Sequence, residues 1–351
     1  MIKYEKVRDL IKKEKLDALL VMSPYNRRYL SAFTGSSGAV IITENERYLI
    51  SDFRYNTQAQ EEARDFEFVL QQKGLIDFLI KFLKEKNLKT VGFEGAHVNF
   101  NTYRAFSDNF ELVPLTNEVE KIRMFKTAEE LELIKKACEI ADESYEYIIK
   151  YVQPGMSEMQ VKNELEGYMT KLGASGASFD TIVASGYRGA LPHGVASDKI
   201  IEVGDMVTLD FGAYYKGYAS DITRSFGVGE VSDEMEKIYN IVLESQLKAL
   251  DDIKNGMTGS EADKVARDVI TSYGYGDNFG QSLGHGFGLE VHEGPALAKS
   301  SETILEENMC VTVEPGIYVD GVGGVRIEDD CLVTDEGLRK LTHSSKDLFI
   351  I

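Results

Sequence analysis

The later part of this chain carries the same pattern twice, and that repetition restricts the fold more than any other feature. The first copy is a long helical pattern, the turn Pro154-Gly155-Met156-Ser157-Glu158, a second helical pattern and the run Asp205-Met206-Val207-Thr208-Leu209-Asp210. The second copy is a helical pattern over 233–253, the turn Asn255-Gly256-Met257-Thr258, another helix and Asn308-Met309-Cys310-Val311-Thr312-Val313-Glu314. Gly155 precedes Gly256 by nearly the same stretch of chain as Asp210 precedes Glu314. Gly-Met-[Ser/Thr] and Val-Thr-x-acid recur in the same order, which describes a duplicated α/β unit. A solenoid needs three or more stacked copies, so two predict a closed domain with pseudo-twofold symmetry. A cleft between its halves is a natural place for a site.

Ahead of the repeat, helix and strand patterns alternate. Residues 3–15 read as a helix with Val7, Leu10 and Ile11 on one face. Apolar runs at 18–22 and 39–43 read as strands, with 47–51 pairing to the second and the loop Thr34-Gly35-Ser36-Ser37-Gly38 between the two runs. A helix at 75–86, a strand at 91–94 and a helix at 101–109 complete a self-contained α/β domain. The boundary falls at 121–126, predicting domains 1–122 and 123–351. Beyond it, Thr127-Ala128-Glu129-Glu130 is a capping box that opens a helix running to about 152.

Charge excludes several classes of partner. With 39 Lys+Arg against 58 Asp+Glu, the net charge is −19 at pH 7. Such a chain repels phosphate backbones and anionic membranes, so neither nucleic acid nor membrane is expected as a partner. Cys138, Cys310 and Cys331 are odd in number and lack C-x-x-C spacing, which predicts a reducing compartment and no thiolate zinc site. The N-terminus runs straight into an amphipathic pattern with no apolar signal segment, and a cytoplasmic location is expected.

Four acids stand out. Asp210 and Asp221 lie in the alternating stretch 207–224. A two-residue turn at Tyr215-Lys216 would set them directly opposite on one hairpin face, where like charges destabilise unless a cation lies between them. The alternative is that one of them caps the turn or faces solvent. Glu314 and Glu328 flank the turn Asp320-Gly321-Val322-Gly323-Gly324 in the second copy, and Arg326 shares the face of Glu328 by strand period. Acids supplied pairwise by equivalent hairpins describe a dinuclear metal site. His285, in the glycine-rich loop Gly284-His285-Gly286-Phe287-Gly288, is a surface residue if taken alone and a nitrogen ligand beside the four acids. Oxygen-rich ligation with one imidazole suits Mn²⁺, Co²⁺ or Zn²⁺. His193 and His292 are either packed core histidines or members of the same site. His97 and His343 have no supporting constellation.

The order Asp210, Asp221, His285, Glu314, Glu328 stands within Pro192-His193-Gly194, a Gly-His-Gly-x-Gly run ending at His292-Glu293, Glu314-Pro315-Gly316 and Val325-Arg326-Ile327-Glu328-Asp329. In this it resembles the pita-bread metallopeptidases. Within that superfamily it is similar to the proline-specific branch, the Xaa-Pro aminopeptidases and Xaa-Pro dipeptidases (prolidases). Phe33-Thr34-Gly35-Ser36-Ser37-Gly38 and Ser51-Asp52-Phe53-Arg54-Tyr55 resemble segments of bacterial members.

The resemblance implies an α/β creatinase-like N-terminal domain and an α+β pita-bread catalytic domain. It implies two divalent ions, Mn²⁺ first with Co²⁺ or Zn²⁺ as alternatives. Asp210 would chelate one ion, Asp221 and Glu328 would bridge both, and His285 with Glu314 would complete the second. Glu314 is then the proton shuttle, His292 bonds the tetrahedral intermediate, and His193 binds the substrate carbonyl or leaving side. Arg326 holds a ligand carboxylate or reads a substrate carboxylate, together with Tyr318. The implied substrates are short peptides with proline second, and the implied assembly is a homodimer. The alternatives are a non-proline pita-bread aminopeptidase, or a creatinase-like or peptide-binding relative without metal. All five ligand positions match the metal-binding pattern, which counts against the latter pair.

Overall fold

The apolar runs of the N-terminal part pair into one mixed sheet. The computed structural model describes residues 2–351 and contains two units, one ending at Arg123 and the other beginning at Met124. The first unit opens with α1 (Ile2–Lys13), β1 (Ala18–Val21), α2 (Pro24–Ser31), β2 (Ala39–Ile42) and β3 (Arg47–Ser51). It continues through α3 (Asn56–Glu62), β4 (Glu67–Leu70), α4 (Leu75–Glu85), β5 (Thr90–Glu94), α5 (Phe100–Ser107), β6 (Glu111–Leu115) and α6 (Glu118–Arg123). The strand order is β4-β3-β2-β1-β5-β6, with β2 antiparallel to both neighbours and the remaining pairs parallel. Leu79 and Leu83, one helical turn apart on α4, join Leu20, Ile41, Ile50, Val91 and Phe106 in the core.

The apolar pattern predicts no helix at α2 and no strand at β4 or β6. The reason for α2 is that much of its inward face is polar, with Asn26, Arg27 and Ser31 buried. The two strands are sheet edges, mostly half-exposed and carrying Glu67 and Pro114, as edge strands commonly do.

The second unit contains the duplication. Its first half is α7 (Ala128–Tyr151), α8 (Glu158–Lys171), β7 (Gly176–Ala177), β8 (Ile182–Ser185), β9 (Met206–Phe211), β10 (Ala213–Tyr215), β11 (Tyr218–Ala219) and β12 (Ile222–Gly227). The second half is α9 (Asp233–Asp252), α10 (Gly259–Ser272), β13 (Gly284–Gly286), β14 (Glu293–Leu297), β15 (Cys310–Val313), β16 (Gly316–Val319), β17 (Gly323–Arg326), β18 (Asp329–Thr334) and β19 (Gly337–Lys340). The capping box at Thr127 forms as the sequence predicts. Ser157 and Thr258 build matching capping boxes at the starts of α8 and α10. Gly155 and Gly256 before them share φ values of 95° and 92°. Ser157 bridges to Ile200, and Thr258 bridges to Ile304.

Each half packs its two helices on its own strands. Ile148, Val161, Leu165, Leu209, Phe211 and Phe226 belong to one core cluster. Ile238, Val242, Ala266, Ile270, Val311 and Val313 belong to the other. Burial of each of these side chains other than Ala266 stabilises the fold by roughly 1.5–3 kcal/mol. The halves meet where the Glu328 N–H donates to the Thr223 carbonyl at 3.1 Å and the Ser225 hydroxyl donates to the Arg326 carbonyl at 3.0 Å. Carboxylates from both halves converge at this junction. Among the described residues, no helix is long and apolar enough to cross a membrane. Cys138, Cys310 and Cys331 are free and buried.

Candidate metal centre

Asp210 and Asp221 come from the first half, in a register that differs from the expected one. Asp210 lies opposite Thr223, not Asp221. Further out, Tyr215 pairs with Tyr218, so the turn is Lys216-Gly217, with φ of 45° and 80°. A two-residue hairpin turn of this kind places both central residues at positive φ, and glycine at the second does so without a Cβ clash. The turn therefore sits one residue later than Tyr215-Lys216 and the pairing shifts by two. A shift of two keeps every side chain on its face, so Asp221 still meets Asp210.

The second half supplies Glu314, Glu328 and His285. Val313 pairs with Asp329 and Gly316 with Arg326, one continuous register about Gly321. Glu314 and Glu328 occupy the gap between these two ladders. There the Glu314 N–H donates to the Leu283 carbonyl at 2.8 Å. His285 stands on strand β13 rather than on a loop. A Cβ on Gly284 would lie 2.1 Å from the Thr312 carbonyl oxygen, and one on Gly286 would lie 2.0 Å from that of Gly294. Both glycines are thus needed to bring the histidine between two backbones. His285 Nδ1 lies 3.1 Å from the Gly286 carbonyl, a bond that places the proton on Nδ1 and leaves Nε2 as the free lone pair. Nε2 faces Glu314 Oε1 at 3.3 Å and Asp221 Oδ2 at 3.6 Å.

These groups are held against their electrostatic preference. Asp210, Asp221 and Glu328 are buried, and each offers an oxygen within 4.8 Å of the others. Burial, then repulsion from Glu328 and Asp210, raises the Asp221 pKa well above the usual carboxylate range. Burial and repulsion from Glu314 do the same to Glu328. For Glu314, burial raises the pKa, but His285, Arg326 and the Thr312 hydroxyl together outweigh it, so the carboxyl titrates below its usual value. Asp210 Oδ1 and Glu328 Oε1 are buried without a hydrogen-bond partner. A cation bound by these oxygens would satisfy both and relieve the repulsion, so the residues fit divalent ions, and Asp210, Asp221, Glu328, Glu314 and His285 could hold them.

Arg326, His292 and His193 belong to the same cavity. It measures about 280 Å³ and is bordered by all eight residues singled out above, together with Phe179, Ile182, Pro192, Gln281 and Ser282. Arg326 pairs with Asp210, donates to the Tyr318 hydroxyl at 2.6 Å and donates from Nε to Thr223 Oγ1 at 3.1 Å. The His292 ring lies 4.3 Å from that of His285, edge to face. His193 follows the 3-10 turn Gly186–Ala190 and is exposed.

Several residues at the site escape the sequence pattern. The Thr223 hydroxyl donates to Glu328 Oε2 at 2.6 Å. Asp330 Oδ2 accepts the Asp221 N–H at 2.8 Å and the Cys138 thiol at 3.3 Å. Gln281 donates to Glu314 Oε2 at 3.1 Å. Thr312 donates to Glu314 Oε1 and accepts the His285 N–H, both at 3.1 Å. For Thr312 a signal exists, since it is the threonine of the repeated Val-Thr-x-acid. The other three have no local signature.

Comparison with known proteins agrees with this geometry. Residues 132–335 match the model of metallopeptidase family M24, and residues 3–125 match the creatinase/prolidase N-terminal domain. A Xaa-Pro dipeptidase of Pyrococcus furiosus is 40% identical over 99% of both chains. The solved structure of a Xaa-Pro dipeptidase from Bacillus anthracis is 50% identical, covers 100% of this chain and 99% of its own, and superimposes with a TM-score of 0.98. That of an X-Pro aminopeptidase from Thermotoga maritima is 43% identical, covers 96% of this chain and 98% of its own, and gives 0.90. The fold expected from the motifs is therefore the fold observed. The chain belongs to metallopeptidase family M24 and carries a creatinase/prolidase N-terminal domain ahead of the metallopeptidase domain.

Proposed function

We propose that this chain is a dinuclear metallo-exopeptidase that cleaves the bond between an N-terminal residue and a following proline in short peptides. The observation that carries the reading is the convergence of four carboxylates and one imidazole nitrogen on a single cavity. The choice of proline rests on the similarity to Xaa-Pro dipeptidases and an X-Pro aminopeptidase. In this reading residues 1–122 form the N-terminal domain and 123–351 the catalytic domain. Asp210, Asp221, Glu328, His285 and Glu314 would hold the ions, with Asp210 toward one, His285 and Glu314 toward the other, and Asp221 and Glu328 available to both. The oxygen-rich set with one imidazole suits Mn²⁺, Co²⁺ or Zn²⁺, and the similarity to the proline-specific metallopeptidases puts Mn²⁺ first as the resident ion. The free buried cysteines fit a reducing, cytoplasmic setting, and the similarity to prolidases favours a homodimer.

Ions bound there would polarise a peptide carbonyl and acidify an attacking water. The chain's own groups do the rest. Glu314 accepts a proton from that water on its carboxylate and returns it to the nitrogen freed when the C–N bond breaks. His292 and His193, on the cavity wall, donate hydrogen bonds to substrate oxygens on which charge develops. Arg326 keeps Asp210 oriented and opposes the upward push that burial gives its pKa. Phe179, Ile182 and Pro192 offer the apolar surface on which a proline ring packs.

The test is release of proline from a Xaa-Pro dipeptide and of Xaa from a Xaa-Pro-Yaa tripeptide, by Mn²⁺-loaded protein with and without EDTA. Chelator-sensitive cleavage is expected, and the faster substrate distinguishes dipeptidase from aminopeptidase. Cleavage of neither peptide by protein that binds two ions would remove proline specificity from the reading.

A further inference from the structure

A continuous chain of hydrogen bonds joins Asp210 to its repeat counterpart Glu314. Arg326 Nη2 donates to Asp210 Oδ2, and Nη1 donates to the Tyr318 hydroxyl at 2.6 Å. The Tyr318 hydroxyl donates in turn to Gln281 Oε1 at 3.0 Å. Gln281 Nε2 then donates to Glu314 twice, to Oε2 at 3.1 Å and to the main-chain carbonyl at 3.0 Å.

Every proton direction in this chain is forced. A guanidinium only donates, so the Tyr318 oxygen accepts from Arg326 and passes its own proton on. The Gln281 atom facing Tyr318 is therefore the carbonyl oxygen, and its amide nitrogen is left facing two acceptors. The reverse orientation would set a carbonyl against a carboxylate. On its other oxygen, Glu314 accepts from Thr312 at 3.1 Å and lies 3.3 Å from His285. Both carboxylate oxygens are thus tied, and the plane of the group is defined.

We infer that Gln281 is the positioning residue for Glu314, holding its carboxylate in the orientation that proton transfer needs. The inference rests on the peptidase reading above and deepens it. The side-chain bonds of Gln281 go to Glu314 and Tyr318, so its effect is on geometry. A displacement on the order of 1 Å at a reacting group costs up to about a hundredfold in rate.

The test uses the Mn²⁺-loaded full chain carrying Gln281→Ala, Gln281→Glu, Tyr318→Phe, or Gln281→Ala with Tyr318→Phe, assayed on a Xaa-Pro dipeptide. In Gln281→Ala, kcat is expected to fall about tenfold or more with KM within about twofold of wild type. Elemental analysis should still find the wild-type metal content. Gln281→Glu keeps the volume but loses the donor, and should lose as much. The double variant should lose no more than the worse single, as members of one unit do. Wild-type kcat in either Gln281 variant, loss of an ion from Gln281→Ala, or losses that multiply in the double variant would overturn the inference. The same proteins without metal give an independent readout in urea. There the midpoint shifts of Gln281→Ala and Tyr318→Phe should be non-additive, and additive shifts would overturn the continuous chain. This second readout holds even if the wild type cleaves no Xaa-Pro peptide, an outcome that sinks the functional reading alone.

Discussion

Thr223 donates its hydroxyl proton to Glu328 Oε2 at 2.6 Å while its own Oγ1 accepts from Arg326 Nε at 3.1 Å. Thr223 also lies opposite Asp210 across the β9–β12 ladder. One small side chain therefore links carboxylates from both halves of the duplication. It ties down one oxygen of Glu328, and the other, Oε1, has no protein partner.

Thr223→Val keeps the shape and removes the hydroxyl. Groups that orient metal ligands affect affinity by about ten- to a hundredfold, and a loss in that range is expected. Titration calorimetry with Mn²⁺ measures it. Unchanged affinity would show that the backbone alone orients Glu328.

Glu314 and His292 should separate into different roles. Glu314→Gln is expected to abolish turnover and weaken one metal position, because the amide neither takes up the proton nor ligates as an anion. His292→Ala should retain both ions and lose mainly kcat, by about a hundredfold if it bonds the developing charge. Metal content and kinetics on the same preparations decide the matter, and an emptied site in His292→Ala would show the ligand assignment to be wrong.

Glu158 clamps the segment that carries Pro192 and His193. It is fully buried and accepts from the N–H and hydroxyl of Ser185, both at 2.8 Å, and from those of Ser197 at 3.1 and 2.7 Å, while pairing with Arg188. Glu158→Gln replaces one acceptor oxygen with a donor facing donors, at a cost of about 1–3 kcal/mol. Because the segment borders the cavity rather than the ligand set, the expected signature is a raised KM with unchanged metal content. A normal KM would mean that His193 is held by its own turn.

Glu94, in the first unit, predicts a pH dependence. Its carboxylate accepts from Met22 and Ser23 amides at 2.6 and 2.8 Å and from Asn26 at 2.7 Å, yet burial still raises its pKa above the usual 4.5. A raised folded-state value means that the folded protein keeps the proton where the unfolded chain has lost it. The contribution is complete below the unfolded value and is lost as pH rises through the folded one. The urea midpoint of Glu94→Gln should therefore lag that of wild type more at about pH 5 than at about pH 7.5. An equal lag at both would contradict the raised value.

What the sequence determined is what local geometry encodes. Thr127 caps a helix through a residue three positions on, and such a motif is complete within one turn. The duplication could be read because both copies keep their glycine turn and their Val-Thr-x-acid strand. The second hairpin kept its expected register, with Val319 opposite Gly323. The first did not, because Gly217 offered a turn that Tyr215-Lys216 could not match. Only the tertiary structure decided that Thr223 meets Glu328, that Asp330 meets the Asp221 amide, and that Gln281 joins Glu314 to Tyr318. Strand and helix periods follow from backbone geometry and survive small errors in packing. A side-chain hydrogen bond needs its partners placed at about 3 Å with the right direction, and that placement exists only once the two halves have closed on each other.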